Sequence, residues 1–307
     1  MRLLVACVLV AGTAAAEKPL DTVILEHVPW VKQRPDFCGE ACVEMAARRL
    51  GKTYDQDAVF AETGLDPALG RGAYTPDLVR AVHRLGFAPP TIYTLVDARS
   101  PQRGLATELA HLHADLARGV PSIVCMHYDD QPRTTEHFRL VVGFDAEADE
   151  IVYQEPAEDA GEYRRMDRAL FEKLWQLPSA DPGKRVLVRI ALVPGELADP
   201  APAKADITQA ALVQHVMTLR ERLQSSHLQL GVHVSAPFVI AGAARDAKAR
   251  ATKLMAGATD EGIVDVFVFD RASFVHGVEA LRGRAPETAQ GFYSAADHAV
   301  YVNLADR

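Results

Sequence analysis

Cysteine is scarce in this sequence: four occur in 307 residues, and one of them, Cys7, lies in an apolar stretch at the amino terminus. The other three are Cys38, Cys42 and Cys125. These three cysteines are an odd number, so they cannot all be paired with one another in disulfides. Cys38 and Cys42 are four residues apart on a predicted helix, a spacing that disfavours a disulfide. We therefore expect at least one free thiol.

The common metal-binding signatures are also missing. The sequence contains no HExxH motif and no paired CxxC motifs. His111 and His113, in "HLH", point to different faces of a predicted helix and make a poor pair of ligands. We therefore expect no metal and no other cofactor.

Positive charge is in deficit. The chain has 33 Lys and Arg against 41 Asp and Glu, a net charge of -8. Phosphate binding needs concentrated Lys and Arg, so this balance disfavours nucleic acid as a partner. Nothing in the sequence indicates an oligomeric state.

Long apolar runs are absent as well. The longest candidate, in "MRLLVACVLVAGTAAAEKP", covers only residues 3–10 and is too short to span a bilayer. One Arg precedes it and Ala14 to Ala16 follow it, which is the layout of a secretory signal. We predict a signal peptide over residues 1–16 and an exported protein, periplasmic or secreted, that is not inserted in a membrane once the signal is removed.

The remaining composition is that of a globular protein, with 49% hydrophobic and 24% charged residues. The segment "VPGELADPAPAKADITQ" is rich in Pro, Ala and Asp and lacks periodicity, which predicts a linker over residues 194–206. We therefore expect one domain over residues 25–193 and a second over residues 207–307.

The first domain has helical patterns before strand patterns. "CGEACVEMAARRLG", "TPDLVRAVHRLGF" and "GLATELAHLHADLARG" predict helices, the second with Thr75 as its N-cap. "PSIVCMHY", "FRLVVGFD", "EIVYQEP" and "KRVLVRIALV" predict strands. This order favours an α+β fold with an antiparallel sheet.

In the second domain, helical and strand patterns alternate, which favours a smaller α/β-type domain. The segments from "SAPFVIAG" to "HAVYVNLAD" loosely resemble the strand-rich lead-in of gluzincin-like metalloproteases, whose zinc-binding helix would follow. No such helix precedes Arg307, so we expect this domain to be incomplete and to have a binding or scaffolding role.

Cys38 stands at the start of an amphipathic helix, directly before Gly39. The free N–H groups and dipole of a helix N-terminus lower a thiol pKa, which suits a nucleophile. Gly39 would let a substrate backbone approach closely. Gln33 is placed to supply an oxyanion-hole donor beside the backbone N–H of Cys38.

His137 is the best candidate for a base, because it enters a strong strand and its ring can reach a helix start. The short connection "AEADE" predicts a hairpin between residues 138–145 and 150–154. This hairpin brings Glu155 near His137, where its carboxylate can orient the imidazole. Alternation of side chains places Gln154 on the other face.

The ordered set "Q-x4-CGEACVEMAARRLG", "LARGVPSIVCMHY", "EHFRLVVGFD" and "IVYQEP", followed by "FEKLW", resembles the C39-like cysteine peptidases, which have a papain-like fold. The resemblance covers about residues 28 to 177. It implies Cys38 as nucleophile, His137 as base and Gln33 in the oxyanion hole. The third member of the set is Glu155, at a position where the family has Asp.

This resemblance implies a peptidase or amide hydrolase whose substrate is a peptide or protein, and the predicted signal peptide indicates that it is exported. Two alternatives stay open. One is a catalytically inactive module of the same fold that binds an extended peptide, and the other is a thiol acyltransferase that uses an amine in place of water. Cys42 and Cys125 are expected to face the core.

Overall fold

The computed structural model describes residues 20–197, 207–243, 247–256 and 262–304. The predicted signal peptide, residues 1–16, and most of the predicted linker, residues 198–206, lie outside the described residues. No helix in these ranges is long and apolar enough to cross a bilayer. The described chain forms two sheets, one on each side of the predicted linker.

The first sheet has eight strands, and all of its pairings are antiparallel. They are β1 (Val23–Ile24), β2 (Tyr93–Asp97), β3 (Ser122–His127), β4 (Glu136–Asp145), β5 (Glu150–Gln154), β6 (Arg164–Asp167), β7 (Leu177–Pro178) and β8 (Lys184–Ala191). The order is β2-β8-β3-β4-β5-β6, with β1 added to β4 and β7 added to β8. The strand β4 is thus central, and eight of its ten residues are buried.

Five helices accompany this sheet. They are α1 (Cys38–Arg49), α2 (Gln56–Thr63), α3 (Thr75–Arg84), α4 (Gln102–Ala117) and α5 (Arg168–Trp175). The helix α1 is buried over most of its length, and one large apolar core joins its residues to β3, β4 and β5. The α+β prediction for this domain is confirmed.

Where the sequence pattern is strong, the predicted elements are found with ends shifted by a few residues. Helix α3 begins at Thr75, so the N-cap is Tyr74 and not Thr75 as predicted. The carboxylate of Asp77 accepts a hydrogen bond from the Tyr74 N–H, which satisfies one free donor of this helix start. Helix α2 and strands β2 and β6 were not predicted, because they are short and lack a clear period.

The second sheet has five strands: β9 (Gly231–Ser235), β10 (Phe238–Gly242), β11 (Val264–Asp270), β12 (Gly291–Ser294) and β13 (Ala299–Leu304). Its order is β12-β13-β11-β10-β9, and the three central strands β13, β11 and β10 are parallel to one another. The accompanying helices are α6 (Gln209–Ser225), α7 (Ala247–Leu254) and α8 (Phe274–Arg282). The predicted alternation of helices and strands is observed, and the outer strand β12 was not predicted.

Helix α6 connects the second sheet to the first domain. Its backbone N–H at Ala210 donates a 2.7 Å hydrogen bond to the carboxylate of Asp57 in α2. The same helix contributes to a small apolar cluster with Phe60 and with Phe37, whose rings stack 5.0 Å apart. Phe37 directly precedes Cys38, so α6 packs against the residue before the first residue of α1.

Candidate functional site

Cys38 is the first residue of α1, and its side chain is half-buried. The chain reaches it through a tight turn in which Asp36 has a left-handed backbone (φ +64°) and accepts a hydrogen bond from the Gly72 N–H at 2.7 Å. A Cβ on Gly72 would overlap the Asp36 carbonyl oxygen, so only glycine fits here. The loop that contains Gly72 is therefore docked directly on the helix start.

Gly39 serves a different purpose from the one the sequence indicates. A Cβ at this position would lie 2.8 Å from Leu78 and 3.2 Å from Phe138, both in the domain core. Gly39 therefore lets α1 approach α3 and β4 closely, rather than giving room to a substrate backbone.

The surroundings of the Cys38 thiol disfavour its ionised form. Burial raises its pKa to about 12, and the carboxylates of Glu40 and Asp36 raise it further. The backbone N–H groups of Phe138 and Gly39 act in the opposite direction. This differs from the lowered pKa expected from the helix start, because desolvation outweighs the helix N-terminus. The thiol is therefore protonated in the free protein at neutral pH.

His137 lies in β4 and is buried, with 6% of its surface exposed. Its Nε2 lies 2.6 Å from Oε1 of Glu155, which follows the end of β5. The hairpin register pairs Leu140 with Gln154, so Glu155 falls beside the start of β4 as predicted. Gln154 turns elsewhere and donates to the carbonyl of Val28 at 2.8 Å.

Glu155 is held by several groups besides His137. Arg139 donates from Nε to Oε2 of Glu155 at 2.6 Å, and the backbone N–H of Ala157 donates to Oε1 at 3.0 Å. Burial works against ionisation, but the hydrogen bonds from His137 and the Ala157 N–H, together with the positive charge of Arg139, keep the Glu155 pKa below its usual value. The carboxylate is therefore an anion at neutral pH.

The backbone of Glu155 is fixed as well. Its carbonyl accepts a 2.8 Å hydrogen bond from the indole N–H of Trp30, and its N–H donates to the carbonyl of Gly161 at 2.8 Å. A Cβ on Gly161 would overlap the Glu155 carbonyl oxygen. The Glu155 side chain therefore extends from a backbone that is held by two hydrogen bonds and by the close contact with Gly161.

The Cys38 thiol interacts with the backbone of the residue that follows His137. The N–H of Phe138, the residue after His137, points at the Cys38 sulfur. Among the hydrogen bonds of the described residues, none joins this sulfur directly to the His137 ring. Since Nε2 is used by Glu155, the ring nitrogen that remains for the thiol is Nδ1.

Gln33 lies on the same side of the site as Glu155. Its backbone N–H donates to the carbonyl of Pro156 at 2.9 Å. Its side-chain Oε1 is buried and makes no hydrogen bond. A buried amide without a partner is costly and is found where a ligand or a catalytic role accounts for it. Gln33 therefore has an amide oxygen without a partner, and its backbone is bonded to the residue that follows Glu155.

A cavity of ≈ 630 Å³ opens beside Cys38. One wall is the segment from Gly72 to Pro76, which includes the first two residues of α3, and the other includes Cys125, Glu136 and Phe138. The second and third cysteines differ in position, because Cys42 is sealed in the core while Cys125 is buried but lines this cavity. Burial raises the pKa of both thiols.

Two parts of the site were not predicted from the sequence: Arg139 and the segment 72–76. Arg139 is 4% exposed and directly precedes the apolar run "LVVGF" of β4, and a buried Arg requires a partner. That pattern in "HFRLVVGF" is the signal that identifies it. The segment carries no comparable pattern, because its position depends on Gly72 and on the Ala73 N–H, which donates to buried Glu40 at 2.8 Å.

Residues 25–180, about half of the chain, match the model of the Peptidase_C39 like family. Two solved structures are distantly similar. One is the peptidase domain of Streptococcus ComA, described as a bi-functional ABC transporter involved in quorum sensing, with a TM-score of 0.34 and 16% identity over 53% of this chain and 98% of that chain. The other is xylellain, a cysteine protease from Xylella fastidiosa, with a TM-score of 0.37 and 13% identity over 57% of this chain and 86% of that chain. A search of curated proteins found no match.

Proposed function

The chain belongs to the Peptidase_C39 like family and has a cysteine peptidase fold, and from this premise we propose that it is a peptidase or amide hydrolase. In this proposal Cys38 is the nucleophile and His137 is the general base. Glu155 orients the imidazole, and Arg139 positions Glu155. Gln33 and the Cys38 N–H bind the oxyanion.

The observation that carries the proposal is the buried pair of His137 and Glu155. The 2.6 Å contact commits Nε2 of the ring to the carboxylate and supports a tautomer in which Nδ1 accepts a proton. A neutral imidazole held this way is a general base. Burial that raises the Cys38 pKa to about 12 makes such a base necessary, because the thiol keeps its proton at neutral pH.

The reaction then follows the acyl-enzyme route. As Sγ of Cys38 attacks the substrate carbonyl carbon, its proton passes to Nδ1 of His137, and the carbonyl oxygen becomes an oxyanion. The C–N bond breaks when His137 returns this proton to the leaving amine, which leaves a thioester. Water attacks the thioester while His137 takes one of its protons, and the proton returns to sulfur as the acid product leaves.

The buried amide of Gln33 supports its proposed role. Its Oε1 has no partner, and its backbone is tied to Pro156 next to Glu155. The two terminal atoms of an amide exchange places when it rotates by half a turn, so this side chain can present its N–H₂ group to an oxyanion. Removal of one such donor lowers kcat by about 10²–10³-fold in well-studied cases.

A second candidate function is peptide binding without cleavage. Two observations favour it: the raised pKa of Cys38, and the lack of a hydrogen bond between Cys38 and His137 among the described residues. In this case the cavity beside Cys38 would hold an extended chain that dissociates unchanged.

We also propose that the protein is exported. The amino-terminal pattern of one Arg, a short apolar stretch and small residues supports this location. Sequencing the amino terminus of the protein recovered from outside the cytoplasm tests it, and an uncleaved chain retained in the cytoplasm would contradict it.

Incubation of the full chain with a mixed peptide library, followed by mass spectrometry, tests the hydrolase. New carboxyl termini should form with the native chain and be lost with Cys38→Ala, while Cys42→Ala retains activity as the matched thiol control. Recovery of intact peptides with the native chain would favour the binding module. Products that incorporate an added amine would identify a transferase.

A further inference from the structure

The cavity beside Cys38 has an unusual balance of charge. Asp36 and Glu136 are its two charged lining residues, and among the described lining residues there is no Lys, Arg or His. Neither carboxylate forms an ion pair with a described residue, and both side chains are exposed. Charged rims of this kind attract a cationic group and repel an anionic one.

The two carboxylates retain capacity for a ligand. Asp36 uses Oδ2 to accept from the Gly72 N–H, which leaves Oδ1. Glu136 has only a weak contact, 3.9 Å from its Oε2 to the Cys125 sulfur. An ammonium or guanidinium group in the cavity can form charge-assisted hydrogen bonds with these free carboxylate oxygens.

Several of the other lining residues of the cavity are apolar. Phe138, Ala73, Pro76 and the buried thiol of Cys125 form this part of the wall. A methylene chain is stabilised when it is removed from water onto such a surface, because its apolar area is buried. Lysine and arginine combine an apolar stem of this kind with a charged end.

Arg71, which directly precedes Gly72, does not neutralise the negative charge of the two carboxylates. The Arg71 guanidinium lies 3.9 Å above the ring of Tyr74 and binds Asp77 at 3.0 Å. Its charge is therefore already paired with the carboxylate of Asp77. Buried Glu40, which binds the same loop through Ala73, adds no positive charge.

We propose that this cavity is a specificity subsite for a lysine or arginine side chain of the substrate, next to the bond that Cys38 attacks. The aliphatic stem packs on Phe138, and the cationic end lies between Asp36 and Glu136. This inference rests on the proposed role of Cys38, and it adds the substrate class: peptides with a basic residue near the scissile bond, not acidic ones.

Binding measured without turnover tests the subsite independently of catalysis. The full chain carrying Cys38→Ala is titrated with three fluorescent peptides of one sequence, in which a single position is Lys, norleucine or Glu; the position is scanned along the peptide. At the best position the Lys peptide should bind at least tenfold more tightly than norleucine, and the Glu peptide most weakly. The advantage of Lys should shrink in 0.5 M salt.

Glu136→Gln keeps the shape of the side chain and removes its charge, so it should reduce the preference for Lys over norleucine to about twofold. Glu147→Gln is the matched control, because Glu147 is exposed just beyond the opposite end of β4. Equal affinity for Lys and norleucine, an unchanged preference in Glu136→Gln, or no binding of any peptide would overturn the subsite.

The two proposals fail in different ways. If the native chain hydrolyses neutral peptides but Cys38→Ala shows no Lys preference, the hydrolase stands and the subsite falls. If the Lys preference is present but the native chain cleaves nothing, the subsite stands and the hydrolase falls.

Discussion

Arg139 donates a 2.6 Å hydrogen bond from Nε to Oε2 of Glu155, the carboxylate oxygen that His137 does not use. Its other nitrogens donate to the carbonyls of His127 and Tyr128 at 3.2 and 2.8 Å. The guanidinium thus binds the end of β3 and the carboxylate together. The orientation of the imidazole therefore depends on a cation two residues further along the same strand.

Arg139→Lys should lower kcat and leave KM nearly unchanged. A lysine keeps the charge but cannot donate to the carboxylate and both carbonyls at once, so Glu155 and the His137 ring lose their fixed positions. Misplacement of a catalytic group by about 1 Å can cost about a hundredfold, and we expect a loss between tenfold and a hundredfold. Steady-state kinetics on a peptide that the native chain cleaves would measure it.

A purely structural role for Arg139 is distinguished by the pH profile. In Arg139→Gln the negative charge of Glu155 is no longer shared with a cation, so it favours the protonated imidazole. The acidic limb of kcat/KM should then move to higher pH. The control is Arg165→Lys. Arg165 lies on β6, and its exposed side chain forms an ion pair with Asp145, so this substitution should leave the profile unchanged. If kcat/KM falls at every pH and the acidic limb does not move, the substitution has only disturbed the folding of the chain.

The thiol of Cys38 should react slowly with iodoacetamide in the free protein. Burial raises its pKa to about 12, so the thiolate fraction, and with it the rate, should rise about tenfold for each pH unit between 7 and 9. Mass spectrometry of the peptide that contains Cys38 would report the rate. The same peptide in the urea-denatured chain is the control and should label at least tenfold faster at pH 8.

A rate that is already constant below pH 7 would contradict this expectation. It would show that the resting thiol is ionised as an ion pair with His137, as in a preformed thiolate site. The first step of the proposed mechanism would then be attack by a thiolate, without a coupled proton transfer.

The parts of the site that were predicted from sequence share one property: they lie on elements with a strong local pattern. The strand patterns "FRLVVGFD" and "EIVYQEP", joined by a four-residue connection, predict the hairpin that brings Glu155 near His137. In the same way, helical spacing and Gly51, which has a left-handed backbone (φ +75°), define α1 and place Cys38 at its start.

What was not predicted depends on contacts between distant segments. The high pKa of Cys38 comes from burial against other elements and from the carboxylates of Asp36 and Glu40, which a helix pattern does not reveal. Strand β2 is short and mostly exposed, so its residues carry little hydrophobic pattern. The segment 72–76 becomes part of the site only because Gly72 fits against the Asp36 carbonyl.

Gly161→Ala should displace Glu155 and lower activity. The new Cβ would overlap the Glu155 carbonyl oxygen and lie 2.6 Å from Nε1 of Trp30, so the backbone must shift and the indole hydrogen bond weakens. We expect kcat to fall by about tenfold or more and the free energy of unfolding to fall by about 1–3 kcal/mol. Kinetics and urea denaturation would measure both.

Gly231→Ala is the control for this substitution. A Cβ on Gly231, the first residue of β9, would meet only ordinary contacts at 3.5 and 3.8 Å. It should leave kcat unchanged. A Gly161→Ala chain with native kcat would show that the position of Glu155 does not depend on this close contact.

Glu40 should make the protein less stable as the pH rises from about 4.5 to about 7. Burial raises its pKa from 4.5 to about 7, Asp36 and Asp77 raise it further, and its own N–H and that of Ala73 oppose the change. Below pH 4.5 the carboxyl is protonated in both folded and unfolded chains. Between the two values the unfolded chain releases its proton while the folded chain keeps it, so ionisation favours unfolding.

The full shift corresponds to a loss on the order of 3 kcal/mol above pH 7. Glu40→Gln mimics the protonated carboxyl, because it keeps an oxygen that can accept from the Ala73 N–H without a charge to bury. The decline in unfolding free energy between pH 5 and 8 should therefore be shallower in this variant, and urea denaturation at a series of pH values would measure it. Glu26→Gln, at an exposed site, should keep the native slope. Because Glu40 binds the loop that walls the Cys38 cavity, equal slopes in the native and Glu40→Gln chains would mean that this loop is held by an ionised carboxylate.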